Sequence, residues 1–217
     1  MANIQIGTAA GTTLGNPPSG DFYIFIDSDN ANAYTLRDSS GTDTILGSPN
    51  PATLYGLYAQ TVQSATITNT TTETGVIGSG QGSLTVPADF FTVGDSYHGK
   101  IGGVISAQNG DTITIRIKTG ATVLASTGAI TLSPVTALGW EIELDFTIAT
   151  IGATGDICTN GNFAYNRDTG SLEGFVFQDV QSIDTTSANT LDITVEWGQA
   201  KTQDQIYSAN FVLFKTY

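Results

Sequence analysis

The sequence predicts an all-β protein, an antiparallel jelly-roll sandwich preceded by a small N-terminal β meander. No segment keeps a helical period, whereas strand-sized runs recur with turn formers between them. No repeat of fixed length appears, so a sandwich or jelly roll is expected rather than a propeller. Charged residues are only 12%, below the roughly 25% of an ordinary soluble domain. Thr, Ser, Asn, Gln and Gly must therefore cover the surface, which suits a rigid, Thr-rich β protein.

The meander is read from residues 20–46, GDFYIFIDSDNANAYTLRDSSGTDTIL. Phe22 to Ile26 is a β-branched and aromatic run, and Asp27 to Asn32 supplies a turn. Tyr34, Leu36 and Asp38 then alternate with Thr35 and Arg37 before a last short strand. Three short strands cannot bury a core alone, so this segment needs another domain or copies of itself. Residues 47–53, GSPNPAT, hold two prolines and predict a joint. The chain is accordingly divided into a meander at 1–50, connecting strands and loop at 51–81, and a jelly-roll head at 82–217. Residues 68–83, polar and Gly-rich, read as a surface loop.

Within the head, strands are expected at 112–118, 139–151, 172–178, 191–197 and 206–216. Ile113, Ile115 and Ile117 face away from Thr112, Thr114, Arg116 and Lys118. Trp140, Ile142, Leu144, Phe146 and Ile148 oppose Glu141, Glu143, Asp145 and Thr147. Leu191, Ile193, Val195 and Trp197 oppose Asp192, Thr194 and Glu196. Each is a strand with one wet face. Turns are expected at Asn109-Gly110-Asp111, Thr119-Gly120 and Asn160-Gly161-Asn162. The last strand breaks the pattern: Tyr207, Ala209, Phe211 and Leu213 form one apolar face, while Ile206, Val212 and Phe214 lie on the other. A strand apolar on both faces must be covered on both, so Ile206, Val212 and Phe214 are assigned to an interface between subunits.

The net charge of −13 repels phosphate backbones and anionic bilayers, which argues against nucleic acid and against membrane insertion. One cysteine, Cys158, allows no intrachain disulfide and reads as a buried or half-buried strand residue. The start, MANIQIGTAAGTT, lacks the pattern of a signal peptide, and cytoplasmic synthesis and assembly are expected.

Four motifs carry residue types that could support chemistry. Gly94 to Lys100, GDSYHGK, nearly spells a phosphate-binding loop, but Ile101 stands where Ser or Thr must hold magnesium and a strand follows instead of a helix. Glu141, Glu143 and Asp145 alternate on one strand, as the carboxylates of laminarinase-type glycosidases do, though that motif places an Asp between two Glu. Asp27, Asp29, Asn30 and Asn32 partly match a calcium loop, with Asn32 replacing the required glycine and Ala31 at a ligand position. A hairpin turn accounts for them with less, and a weakly held divalent cation near Asp27 and Asp29 is the alternative. His98 is the only histidine, which excludes zinc sites built on several, and it reads as a polar strand-edge residue. No catalytic residue, cofactor or metal site is therefore assigned.

Two stretches resemble known proteins. The run from "GDFYIFID" through "YTLRDSSGT" to "IL" resembles segments of tailed-bacteriophage virion proteins of the fibre and head-decoration type. From Gly82 onward, "LTVPADFFTVGDSYHGKIGGVIS" and "IYSANFVLFKTY" are similar to the jelly-roll heads, tumour necrosis factor-like in shape, that end many phage and large-virus fibres. The resemblance implies a non-enzymatic structural protein, a trimeric capsid decoration or fibre protein on the outer surface of a virion. Its implied partners are two further copies of itself, other virion proteins and a host surface glycan. The alternative is a jelly-roll protein that binds or cleaves glycans with Glu141 and Glu143.

Overall fold

The structure, a computed structural model, describes residues 4–9, 15–19, 21–27, 33–47 and 57–217. These residues are all-β, and the chain divides into two units, Met1–Thr53 and Leu54–Tyr217. The turn carrying Asp29 lies outside the described residues, as does the proposed joint beyond Gly47.

The first unit is a four-stranded sheet of β1 (Ile4–Ala9), β2 (Phe22–Asp27), β3 (Ala33–Arg37) and β4 (Asp43–Gly47), in that order. The meander is β2 to β4, while β1 adds a parallel strand that the sequence reading omitted. Its inner face is partly polar: Phe25, Thr35 and Arg37 are buried. The Arg37 guanidinium lies 5.7 Å from the centre of the Phe25 ring and grips Asp43 with two 2.6 Å bonds. That bidentate pair holds the Asp43 carboxyl below its usual range. Asp38 accepts from the Ser40 and Thr42 amides, closing the β3–β4 turn.

The second unit is a sandwich of two largely antiparallel sheets. Its main sheet runs β15 (Leu172–Ile183), β14 (Gly155–Asn166), β13 (Val135–Ile148), β10 (Ser96–Ala107), β17 (Gln205–Lys215), β5 (Leu57–Gln60), β8 (Gly80–Ser83), with β6 (Ile67–Thr68) also on β17. The second sheet runs β12 (Thr122–Thr131), β11 (Thr112–Thr119), β16 (Asn189–Trp197), β7 (Thr74–Gly75), with β9 (Thr85–Val86) also on β16. Within residues 57–83, β5, β6 and β8 extend the main sheet and β7 the second, with loops between them.

The core lies between the sheets and follows the predicted alternation. Ile113, Ile115, Ile117, Trp140, Ile142, Leu144, Phe146, Ile193, Val195 and Trp197 all belong to it. Three expectations fail for identifiable reasons. Asn160-Gly161-Asn162 lies within β14 and is not a turn. Gly161 is there because the Phe177 ring of β15 lies across it, 2.4 Å from where a Cβ would stand. Cys158 is on a strand but exposed, since it falls on the outward phase of β14.

The third concerns Ile206, which is fully buried. Pairing along β10 and β17 jumps from Gly103–Ser208 to Gly102–Asn210, leaving Ala209 as an extra residue. That bulge shifts the alternation by one, so Ile206 and Ser208 share the inner face with Phe211 and Leu213. Only Val212 and Phe214 of the three residues assigned to an interface face outward.

Candidate functional site

The outer face of the main sheet gathers most of the residues that drew attention in the sequence. It is built by register. Across β17, β10, β13, β14 and β15, one row reads Phe214, His98, Asp145, Asn160, Gln178. The next reads Val212, Lys100, Glu143, Asn162, Val176, and the third Asn210, Gly102, Glu141, Ala164, Gly174. Period-two alternation brings every second residue of each strand to this face.

Acidic side chains on the face are paired across strands, with a negative excess left over. Lys100 Nζ lies 2.9 Å from Glu143 Oε1 and 3.0 Å from Glu141 Oε2. His98 Nδ1 lies 2.8 Å from Asp145 Oδ1, and the Phe214 ring packs on the imidazole with centroids 5.2 Å apart. The bond from Lys100 holds the Glu143 carboxyl below its usual range, and the two glutamates in turn raise the Lys100 ammonium. A glycosidic general acid needs the opposite, a carboxyl whose affinity for a proton is raised. Glu141 and Glu143 are each about half exposed, with one lysine shared between them. This arrangement ties the strands together and presents a mixed polar and apolar surface; Val176, Val180, Val212 and Phe214 supply its exposed apolar part.

His98 is not at an edge, because β10 runs between β13 and β17. Gly94 to Lys100 spans a tight turn and the start of β10, and the buried Asp95 accepts from Thr92 and pairs with Lys215 at 2.6 Å. It therefore holds the C-terminal strand in place. Asp27 ends β2, and among the described residues no group of three or more His, Cys, Asp or Glu is placed to hold a metal.

Sequence reasoning missed the partnership of Lys100 with the acidic strand, since nothing local reveals that β10 pairs with β13. It also missed Ser208, fully buried within reach of the Val76 carbonyl and Gln60. No protein-family model, curated protein or solved structure matches the chain.

Proposed function

We propose that the chain is a non-enzymatic structural protein of a tailed-phage virion, a trimeric capsid decoration or fibre protein carried on the outer surface. The observation that carries this reading is the strand order of the second unit. From β10 the chain crosses to the second sheet for the β11–β12 hairpin, returns for β13, β14 and β15, crosses again for β16 and returns for β17. Repeated crossing of this kind is common to jelly rolls and other Greek-key sandwiches, and it is compatible with the jelly-roll head that the resemblance implies. A separate small β unit precedes it, as an attachment segment would. The charge of −13 suits a position away from packaged DNA.

The threefold contact uses the outer face around Val212 and Phe214, without Ile206. Symmetric copies would multiply weak contacts with virion proteins or a host glycan into avidity. Light scattering on the purified chain at micromolar concentration tests the assembly, and a monomer mass defeats it. Phe214→Glu is expected to dissociate the trimer while leaving the β signal in circular dichroism intact, whereas Ile206→Glu should unfold the subunit. Labelling the protein and locating it on a virion tests the role.

The glycan reading keeps one observation in its favour, the half-exposed Glu141 and Glu143 beside Asn162 on a single face. Polysaccharide turnover that disappears in a Glu141→Gln, Glu143→Gln variant would replace the structural reading with it.

A further inference from the structure

At the end of the sandwich where β10 turns into β11, two carboxyl groups are buried together. Asp111 and Asp204 are 3% and 1% exposed, and they lie in hydrogen-bonding contact with each other. Asp111 belongs to the turn after β10, where its Oδ2 accepts from the Gln108 amide at 3.1 Å and its Oδ1 takes the Lys201 ammonium. Asp204 belongs to the β16–β17 connection, and no N–H or hydroxyl donor satisfies either of its oxygens. The charged groups facing Asp204 are Asp111 and Lys201.

Two carboxylates in contact and shielded from water cannot both stay ionised. Asp111 already accepts from an ammonium and an amide, so it keeps the charge and Asp204 is left to carry the proton. We propose that Asp204 donates this proton to Asp111, and that the shared proton is a latch fastening the β16–β17 connection to the β10–β11 turn. The latch joins segments whose backbones also meet, since the Gly198 amide donates to the Thr112 carbonyl; the Asn69 amide, after β6, donates to the Lys201 carbonyl of the same connection.

Burial, aided by the Asp111 charge, pushes the Asp204 carboxyl up to about 6. The folded state therefore binds a proton that the unfolded chain has released. The latch is complete in mild acid, and its contribution is lost as pH rises through about 6. At neutral pH the two charges repel, and this end of the sandwich opens locally while the rest of the core holds.

Amide hydrogen exchange on the full chain tests this at about pH 5 and about pH 8, with rates corrected for their intrinsic pH dependence. Protection of the Asn69, Gln108 and Gly198 amides should fall by up to about tenfold at the higher pH. Asp204→Asn keeps a donor at every pH, so its protection should be the same at both. Flat protection in the unmodified chain, or an equal fall in Asp204→Asn, overturns the proposal. Difference infrared spectra give a second readout that does not depend on the variant folding. A protonated carboxyl band should persist above the range of ordinary carboxyls and disappear with a midpoint near 6, and a band that vanishes wholly within the ordinary range defeats the latch. Calcium chloride added at the higher pH should not restore protection; if it does, the pair is a cation site and not a proton latch.

Discussion

Residue by residue, the β16 strand shows how far alternation can be trusted. Ile193 is fully buried between the sheets, and Ile193→Asp should cost about 3 kcal/mol or more by burying an unpaired carboxylate. Its neighbour Thr194 faces the other way, as the pattern requires, yet only 5% of it is exposed. Glu73 lies over it: its Oε1 accepts from Thr194 at 2.8 Å and from Lys118 at 2.7 Å, while Arg116 approaches Oε2 at 3.3 Å. Thr194→Val should therefore lose about 1 kcal/mol, measured by urea unfolding, where a solvated threonine would lose nothing. Alternation in a sequence tells which side of a sheet a residue takes. What covers that side comes from distant chain, here a glutamate more than a hundred positions away.

Among elements, β10 and β17 set the architecture of the site. Gly103 permits the bulge at Ala209, because a Cβ there would stand 2.0 Å from the Tyr207 carbonyl oxygen. Trp140 Nε1 donates to that carbonyl at 3.1 Å and to Val104 at 3.2 Å, so the irregular backbone keeps a partner. Gly103→Ala should destabilise by about 2 kcal/mol or more, whereas Gly139→Ala, which would meet only a side-chain nitrogen at 3.7 Å, should lose less than about 1 kcal/mol. Thermal unfolding of the two variants side by side checks this. Strands β11 and β16, and β13 from Gly139 onward, were legible from sequence because each alternates without interruption. The phase of β17 was not, since apolar residues occupy both of its faces near the C-terminus and the bulge that decides between them leaves no local mark. The charged face was half legible: the acidic strand could be read directly, but its counter-charges on β10 depend on a pairing that only the fold supplies.

For the whole molecule, the shifted carboxyls predict a two-sided response to pH. Hydrogen bonds from Lys118 and Thr194 hold Glu73 below its usual range. Burial works to raise Asp95, but its bonds to Lys215 and Thr92 outweigh that and leave it lowered. Groups of this kind contribute stability that is full above their ordinary values and is lost as pH falls through the lower folded ones. Asp204 has the opposite sign, with its contribution lost on alkalinisation through about 6. The urea midpoint should therefore fall both below about pH 4 and, more gently, toward neutrality. Glu73→Gln should make the acid limb shallower, and an unchanged acid limb would contradict the assignment.

The bulge at Ala209 decides which apolar pair at the end of β17 enters the core. In the native register Phe211 and Leu213 enter the core; slipped by one residue, Val212 and Phe214 would enter in their place, with comparable apolar bulk. Because β17 closes the main sheet last in chain order, such a misregistered strand would be a kinetic trap during refolding. A slow refolding phase is expected, and replacing Val212 and Phe214 together by threonine should abolish it, since the slipped form would then have nothing apolar to bury. The same two side chains proposed to hold subunits together would thus be the ones that delay each subunit in reaching its native state.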